Sequence, residues 1–469
     1  MGSPIFIVSY NRPQYLRQTL EGLRASVDLS SDPGRDVWLF QDAAYSSYYD
    51  VVKTDPKLID ECVEIFHRIF PQGKMRRSSS NLGIALNIDA AEQCAFVEHD
   101  NEAAIFFEDD LVPSPRYIEI LDRLIEQALG DERIGMVSAY GSNVVVTVEA
   151  QERSKTALGR MHHNWGFGLT RRHWRERNEL VRPYIDAISL VDYSDRPYLP
   201  IYKLWLSRGY GPLPSNQDLF KNVATNELGR VRISTATVNA KYIGEEGEHY
   251  TPDLYNSIGF DKTEIFDYKN DAVELDQLSA EKYEKFLEID RNALTSRKMP
   301  PLTLIQSGLH LDLDWAKLPC AEKSGVKVFF PVGAMPGMWM KSKVSIPFEG
   351  KGITRIEIVA DIPKGEISSF NQVSTSFPGG ETIPHDLTIN EAQTMITITM
   401  TVPEPPSERF AVDITTLPTL SPFMKGTGAD RRQLVWKLRT MTVEAGSGTA
   451  TFANKDLADL LSGTEAAIG

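Results

Sequence analysis

The chain has 469 residues, of which 42% are hydrophobic and 24% are charged, and its formal net charge is −14. This ordinary globular composition excludes an intrinsically disordered chain and a nucleic-acid binder that works through a basic surface. At this length we expect two or three domains. The three cysteines lie far apart in the sequence, which argues against a disulfide framework or a structural zinc site.

The first half of the chain alternates short apolar runs with segments of helical period, a pattern typical of βα units and a largely parallel sheet. We predict strands at 5–9, 36–41 and 103–107, and helices at 13–24, 58–70, 87–97 and 115–129. Residues 134–148 are expected to form one or two strands, and 160–260 a mixed region with short helices. A polar helix is predicted at 279–292, before a break near residue 300.

Beyond residue 322 the pattern changes to short alternating runs, which favour an antiparallel β-sandwich. The runs are 326–330, 341–346, 354–360, 395–402, 409–414 and 434–443. We therefore predict an N-terminal domain at 1–300, a linker at 301–322, a β-sandwich accessory domain at 323–453 and a C-terminal tail at 454–469. The accessory domain is expected either to bind an acceptor or a second copy of the chain, which leaves a homo-oligomer open, or to act as a structural buttress.

No stretch of the sequence predicts a transmembrane segment. The longest apolar runs, such as 103–107 and 144–148, have only about the length of a strand. The apolar run at 4–8 lacks a basic segment before it and a cleavage site after it, so it is interpreted as a first strand rather than a signal peptide. We expect a cytoplasmic protein, with peripheral contact at a membrane left open.

The strongest chemical signal is an acidic triplet, Glu108, Asp109 and Asp110, that directly follows the apolar run 103–107. Open α/β sheets bind ligands at the carboxyl ends of their strands. Three adjacent carboxylates repel one another unless a cation or hydrogen-bond donors offset their charge. Mg²⁺ and Mn²⁺ take oxygen ligands, and one Asp at this position can serve such an ion. The alternative is a solvated acidic turn that caps the helix starting near Pro115.

Four segments occur in an order that resembles a known family. They are Ile7 to Leu16 (IVSYNRPQYL), Phe40 to Asp42 (FQD), Asn81 to Ala85 (NLGIA) and Phe107 to Pro115 (FEDDLVPSP). Together they resemble the inverting nucleotide-sugar glycosyltransferases of the GT-A fold, especially N-acetylglucosaminyltransferase I and its bacterial relatives, over about residues 4–250. The resemblance implies an α/β fold, with a GT-A (Rossmann-like) N-terminal domain beside the C-terminal antiparallel β-sandwich.

The resemblance also implies roles for single residues. Arg12 would reach the diphosphate and nucleoside of the donor, and Asp42 would accept a hydrogen bond from N3 of uracil. Glu108 and Asp109 look like the acids that hold the ribose and the donor sugar, and Asp110 like the sole protein ligand of a Mn²⁺ or Mg²⁺ cofactor. The alternatives are a surface arginine at a helix start for Arg12 and a turn-capping carboxylate for Asp42.

Trp165 and Gly166 belong to a segment, 164–169, that resembles the family's lining of the donor sugar and acceptor. Glycine admits close approach of the backbone, and an indole face stacks on sugar C–H groups. The alternative for Trp165 is a buried ring at a corner of the fold. The preceding His162 and His163 are candidates for phosphate contacts or for solvent-facing side chains.

Asp218 aligns with the general base of the family, which removes the acceptor hydroxyl proton in an inverting transfer. Its surroundings depart from the family pattern, so Asp192 and Asp195 are rival bases, and Asp218 has the alternative role of capping the following helix. His249 lies in a Gly-rich segment, 243–250, that resembles a loop closing over the donor. It is a candidate ligand of the metal or the diphosphate, or of neither.

The resemblance thus implies a metal-dependent, inverting glycosyltransferase with a UDP-linked nucleotide-sugar donor and a glycan, glycolipid or glycoside hydroxyl as acceptor. A nucleotidyltransferase is less consistent with the sequence, because no Gly-rich loop with basic residues follows the first strand. The remaining rival is a non-catalytic sugar-binding or scaffold protein on a degenerate transferase fold. The presence of Arg12, Asp42, Asp110 and a candidate base argues against it.

Overall fold

The chain was analysed as a computed structural model, which forms two compact units, residues 1–298 and 299–469. The structure describes residues 2–141, 146–194, 197–210, 213–246, 251–269, 271–295, 320–329, 332–335, 339–362, 370, 373–377, 381–405, 407–416 and 436–457. Most of the predicted linker, 301–319, and most of the predicted tail, 458–469, lie outside these residues.

The first unit is built on an eight-stranded mixed sheet and two small strand pairs. Its strands are β1 (Ile5–Ser9), β2 (Val37–Gln41), β3 (Tyr45–Ser46), β4 (Val51–Val52), β5 (Lys74–Arg77), β6 (Ala103–Glu108), β7 (Leu111–Pro113), β8 (Ile134–Ser138), β9 (Leu158–Arg160), β10 (Gly166–Thr170), β11 (Val231–Thr235) and β12 (Ala240–Tyr242). The order in the sheet is β5-β2-β1-β6-β10-β8-β11-β9, while β3 pairs with β4 and β7 with β12. Strands β5, β2, β1 and β6 are parallel, and β10 runs antiparallel between β6 and β8. The predicted α/β class with a parallel-rich sheet is confirmed.

Ten described helices surround this sheet. They are α1 (Pro13–Asp28), α2 (Pro56–Ile69), α3 (Gly83–Gln93), α4 (Tyr117–Gly130), α5 (Val148–Arg153), α6 (Arg171–Ile188), α7 (Tyr198–Ser207), α8 (Gln217–Glu227), α9 (Pro252–Ile258) and α10 (Ala280–Thr295). Where the sequence predicted one or two strands at 134–148, the structure shows β8, and Val148 begins α5 because the Thr147 side chain caps that helix. In the part of the chain that is described, no helix is both long and apolar enough to cross a bilayer.

The sheet buries both faces, which explains why its central strands are continuously apolar. Successive residues of a strand point to opposite faces. In β1, Ile5 and Ile7 join the core that contains the apolar residues of α1, α2 and α4. Phe6 and Val8 join a second core with apolar residues of α3 and with Trp174 of α6. Because both faces are covered, ligands can reach this sheet only at its edges and strand ends.

A buried ionic network joins three helices on one side of the sheet. Glu92 of α3 accepts hydrogen bonds from Arg177 of α6 at 2.6 Å and from Lys221 of α8 at 2.9 Å. All three side chains are at most 3% exposed. Burial raises the pKa of Glu92, but the two cations lower it by more, so its pKa lies below the usual value. The network fixes α8 relative to α3 and the sheet.

The second unit is antiparallel β structure. Its strands are β13 (Cys320–Lys323), β14 (Val326–Phe329), β15 (Val332–Met335), β16 (Trp339–Glu349), β17 (Arg355–Asp361), β18 (Ser374–Ser376), β19 (His385–Ile389), β20 (Met395–Thr401), β21 (Arg409–Thr415), β22 (Trp436–Ala445) and β23 (Gly448–Ala453). Long strand β16 pairs with β14 and β21 in one part and with β22 in another. Alternate residues of β17 and β20 are buried in one hydrophobic core that β14, β16, β21 and β22 also line. The predicted antiparallel β region is confirmed.

The Glu92 network leads to a prediction about stability. Glu92→Gln leaves two buried cations without a compensating charge, so we expect the first unit to lose about 3 to 5 kcal/mol. The measurement is hydrogen exchange of peptides from α3, α6 and α8 in the full chain. Because the folded pKa of Glu92 is lowered, the wild-type stabilisation is present above the unfolded pKa and is lost as the pH falls through the folded pKa.

The matched control is Glu98→Gln, which removes an ion pair with Arg76 whose two side chains are 42% and 44% exposed. An exposed pair contributes at most about 1 kcal/mol. If the peptides of α3, α6 and α8 had equal hydrogen-exchange protection in Glu92→Gln and Glu98→Gln, the buried network would not hold these three helices together.

Candidate active site at the carboxyl edge of the sheet

The strand order places a crevice between the carboxyl ends of β1 and β6. From β1 the sheet continues to β2 and β5 on one side and to β6 on the other. In open α/β sheets ligands bind at such a point, where the strand order reverses. Arg12 follows β1 there, and the acidic triplet ends β6 and follows it. Two sequence signals that lie 97 positions apart in the chain thus meet at one place.

Arg12 forms ion pairs with two members of the acidic triplet. One guanidinium nitrogen, Nη2, donates to Asp109 Oδ1, and Nη1 lies 2.9 Å from Asp110 Oδ2. The Arg12 side chain is 22% exposed, whereas those of Asp109 and Asp110 are 6% and 5% exposed. Thr19 of α1 holds the backbone of the triplet by donating a hydrogen bond to the Asp109 carbonyl at 3.0 Å. Arg12 is therefore the cation that offsets the charge of the triplet in this state.

The triplet still carries more negative charge than Arg12 can neutralise. Loss of hydration raises the pKa of Asp110, and so does Asp109, while Arg12 opposes the shift. Loss of hydration, with the charges of Asp110 and Asp218, raises the pKa of Glu108 well above its usual value. The Asp110 Oδ1 atom is buried and has no hydrogen-bond partner among the described residues. An unsatisfied buried carboxylate oxygen of this kind requires an explanation, and a cation is one.

The segment Ile243–Glu246 lies against Asp110 through its backbone. The Ile243 N–H donates to the Asp110 carbonyl at 2.9 Å. A Cβ atom on Gly244 would lie 2.7 Å from Asp110 Oδ2, so only glycine permits this approach. The Glu246 N–H donates to Tyr15 Oη at 3.3 Å. His249 lies outside the described residues, and its role as a ligand stays a prediction.

The side chains of the triplet fit a hard divalent cation. Carboxylate oxygens are the ligands that Mg²⁺ and Mn²⁺ prefer, and the unsatisfied Asp110 Oδ1 provides a free acceptor. A second group of metal-ligand types, Cys94, Glu98 and His99, has its ligand atoms within 4.8 Å of one another. Glu98 is already bound by Arg76 through two hydrogen bonds of 2.7 and 2.6 Å. We therefore assign no metal to that second group.

Asp218 lies in the first turn of α8 with its carboxylate partly exposed. Asn164 Nδ2 donates to Asp218 Oδ1 at 3.1 Å. The cap of α8 is Asn216, whose side chain accepts from the Leu219 N–H at 2.9 Å. Because Asn216 already fills the capping role, the alternative that Asp218 caps this helix does not apply. Its charge also acts on Glu108, so Asp218 lies near the acidic triplet.

Asp192, a rival base, is fully committed to other side chains. It accepts hydrogen bonds from Lys53 Nζ at 2.5 Å, from Ser46 Oγ, and from the backbone and side chain of Ser194. Burial raises its pKa, but the contacts with Lys53, Ser194 and Ser46 together lower it by more. A carboxylate held this firmly in its ionised form is a poor proton acceptor. Asp195, the other rival, lies outside the described residues.

Asp42 caps a turn at the start of α3. Each carboxylate oxygen accepts two hydrogen bonds, with donors Ala43 N and Leu82 N at 2.9 and 2.8 Å on Oδ1, and Asn81 Nδ2 and Gly83 N at 3.1 and 2.9 Å on Oδ2. Burial nevertheless raises the pKa of Asp42 to about 6. The predicted contact with uracil would require one of these hydrogen bonds to open, so the contacts match the turn-capping alternative.

Both faces of Trp165 are covered by other rings. The indole stacks at 3.9 Å centroid distance on His163 on one side and on Tyr242 of β12 on the other. A sugar can stack on Trp165 only if one of these rings moves. His162 is exposed, as the solvent-facing interpretation expects.

Gly166 is required by packing. A Cβ atom there would lie 2.6 Å from Leu111 Cδ2 and 2.9 Å from Tyr117 Oη. Its carbonyl also accepts hydrogen bonds from Tyr117 at 2.9 Å and from Ser138 at 2.8 Å. The glycine therefore lets β10 lie close to α4 and β7, and its substituent position faces the protein interior.

Three residues of the site had no role predicted from the sequence: Thr19, Asn164 and Tyr242. Asn164 lies beside Trp165 in a segment that was singled out, but its partner Asp218 is 54 positions away. No local pattern links such distant residues. Thr19 carried one weak signal, since a polar residue stands within the buried face of an amphipathic helix.

The chain matches no protein-family model and no curated protein. Three solved structures of glycosyltransferases are distantly similar to it. They are S. aureus TarS (10% identity, 97% of this chain and 77% of that chain, TM-score 0.29), the bifunctional WbbM (12%, 64% and 52%, 0.25), and galactosyltransferase LgtC with donor and acceptor sugar analogues (13%, 55% and 94%, 0.25). The chain spans 66% of the length of an active-site mutant of LgtC. At these TM-scores the likenesses carry no argument, so the function must be argued from the side chains.

The packing around Gly166 yields a prediction that separates structure from binding. Gly166→Ala forces a methyl group against Leu111 and Tyr117, so we expect a loss of roughly 1 to 3 kcal/mol in stability. If the folded protein binds UDP, as the sequence resemblance implies, its affinity for UDP should not change. Thermal unfolding and calorimetric titration with UDP measure the two effects.

Gly130→Ala is the control, because nothing lies within 4 Å of a Cβ atom at that position. If Gly166→Ala kept wild-type stability and weakened UDP binding, the donor-lining role predicted from the sequence would replace the packing role.

Proposed function

We propose that this chain is a metal-dependent glycosyltransferase that moves a sugar from a nucleotide-sugar donor, UDP-linked, to a hydroxyl group of a glycan, glycolipid or glycoside, with inversion at the anomeric carbon. The observation that carries the proposal is the meeting of Arg12 and the acidic triplet at the crevice between β1 and β6, with Asp218 nearby. The family resemblance of the same segments adds to it.

The crevice contains what a nucleoside diphosphate leaving group requires. Arginine offers a planar fork of donors that matches phosphate oxygens, and Arg12 is the basic residue that faces the crevice from the end of β1. A divalent cation held by Asp110 would offset the negative charge that develops on the leaving diphosphate. Glu108 and Asp109 remain to contact hydroxyl groups of the ribose and the sugar. A hydroxyl group donates hydrogen bonds, and carboxylate oxygens accept them.

Asp218 is suited to act as the general base. Its carboxylate is partly exposed, and among the described residues its one hydrogen bond comes from Asn164. That contact uses Oδ1 and leaves Oδ2 to accept the proton of an acceptor hydroxyl. The rival Asp192 is occupied by Lys53 and two serines. An inverting transfer needs one such base, opposite the leaving group.

A second candidate function is a sugar-binding protein that has lost turnover on a transferase-like fold. Two observations favour it: the four hydrogen bonds that fill the Asp42 carboxylate and the rings that cover both faces of Trp165. Both observations leave fewer side-chain groups free to contact a nucleotide sugar. Such a protein would bind a nucleotide sugar or a glycan but release no nucleoside diphosphate.

The first test of the function uses Asp218→Asn. The amide keeps the size and shape of the side chain and one acceptor oxygen, but it cannot take a proton. The release of UDP from UDP-hexoses should therefore fall by roughly 10²- to 10⁴-fold. Calorimetric affinity for the same nucleotide sugar should stay near the wild-type value. A discontinuous assay of UDP, with water or a sugar as acceptor, gives the rate.

Glu227→Gln, at the other end of α8, is the matched control because its acid pairs with Arg208 and Tyr210 there, away from Asp218. Wild-type turnover by Asp218→Asn would exclude Asp218 as the base. Binding without turnover in the wild-type protein would instead establish the second candidate function.

The second test concerns the cation. Asp110→Asn removes the carboxylate whose Oδ1 atom lacks a partner, so Mn²⁺ should no longer strengthen the binding of UDP. The folded state should persist, because Asp109 still neutralises Arg12. Titration of UDP with and without Mn²⁺ measures the effect.

Asp60→Asn serves as the control, since Asp60 is 57% exposed and its partner Arg77 47% exposed. Retention of the full Mn²⁺ effect in Asp110→Asn would remove Asp110 from the metal site.

A further inference from the structure

We infer that Arg12 is a resident cation that holds the metal-binding carboxylates when no donor is bound, and that the diphosphate of the donor draws it away so that a divalent metal can bind. The inference rests on the proposed function, because it concerns how metal and donor binding are linked at that site. It assigns to Arg12 control over the metal in addition to contact with phosphate.

Arg12 contacts the carboxylates that would hold a metal ion. Its guanidinium bridges Asp109 and Asp110 by one ion pair to each, and the pair with Asp110 measures 2.9 Å. Among the described residues, no second basic side chain contacts either acid. Arg12 holds Oδ2 of Asp110, whereas the oxygen that is left for a metal is Oδ1 of the same carboxylate, so a metal bound there would lie close to the guanidinium.

The charge of the site explains why the exchange depends on a third partner. Glu108, Asp109 and Asp110 supply three carboxyl groups, and Arg12 supplies one positive charge. If a divalent cation entered beside the guanidinium, the two cations would repel each other in surroundings of low dielectric constant. If Arg12 simply left, the guanidinium would have to be stabilised elsewhere. A diphosphate meets this need, since its oxygens accept the same fork of donors.

In the position where it pairs with the two acids, the Arg12 guanidinium also contacts an aromatic ring. Its central carbon lies 5.3 Å from the centroid of the Tyr15 ring, within the range of a cation–π contact. Tyr15 also accepts a hydrogen bond from the Glu246 N–H, at the end of the segment that lies against Asp110. Arg12 is therefore in contact with both Asp110 and an aromatic face that adjoins the same segment.

Metal and diphosphate should then bind with positive coupling. By linkage, if UDP tightens Mn²⁺ binding by some factor, Mn²⁺ tightens UDP binding by the same factor. Part of this coupling arises wherever a metal contacts phosphate directly. The contribution of Arg12 to the coupling is its competition with Mn²⁺ for the acids when no nucleotide is bound. A variant without the guanidinium isolates this contribution.

The experiment measures free Mn²⁺ by electron paramagnetic resonance during titration of the full chain, with and without UDP. In Arg12→Gln the acids lose their competing cation, so Mn²⁺ should bind without UDP roughly tenfold or more tightly than in the wild type, as expected for loss of a charge-assisted hydrogen bond. The factor by which UDP tightens Mn²⁺ binding should shrink correspondingly. Arg12→Lys, which keeps the charge but loses the fork, should lie between the two and covers the case in which Arg12→Gln does not fold.

Arg17→Gln is the matched control, because Arg17 lies on α1, five residues after Arg12, and its ion pair in the described part of the chain is an exposed one with Glu61 at 3.8 Å. Equal Mn²⁺ affinity of Arg12→Gln or Arg12→Lys and the wild type in the absence of UDP would overturn the inference and leave the proposed function standing. If neither the wild type nor the variants bound Mn²⁺ at all, the metal-dependent function itself would fail.

Discussion

The site depends on one electrostatic constraint: three consecutive carboxyl groups end a strand that is buried on both faces. Such a triplet cannot stay ionised without positive charge or hydrogen-bond donors beside it, and burial, together with the neighbouring carboxylates, raises the pKa of Glu108 and of Asp110. Among the described residues, Arg12 supplies the one positive charge in contact with Asp109 and Asp110. The unsatisfied Asp110 Oδ1 shows where more positive charge would be accepted.

The fold keeps these groups together through its layered construction. Strand β1 brings Arg12, and β6 brings the triplet, to the same edge, where the strand order reverses. The buried network of Glu92, Arg177 and Lys221 fixes α8, which carries Asp218 in its first turn. The elements that support the site are therefore held by apolar packing and buried charge.

Much of this arrangement could be predicted from the sequence, because strand periodicity indicates where strands end and hence where Arg12 and the triplet lie. The sequence could not predict which neighbouring groups already contact the side chains of the site. Asp42 follows a strand as expected, but its oxygens are filled by the Asn81 side-chain amide and by backbone N–H groups of Ala43 and of residues 82 and 83. Trp165 is covered by Tyr242, a residue from a distant strand. Such contacts depend on tertiary packing, which leaves no periodic signal in the local sequence.

The central claim is that this site transfers sugars from nucleotide donors with inversion. Proton NMR of a slow reaction of the full chain with UDP-linked α-hexoses and Mn²⁺, in the absence of an added acceptor, tests it most directly, because the anomeric proton of the first-formed sugar reports its configuration. The account predicts release of UDP together with the β-anomer, before mutarotation mixes the two forms. Release of the α-anomer would contradict inversion, and the absence of any UDP release from the nucleotide sugars that bind would contradict catalysis.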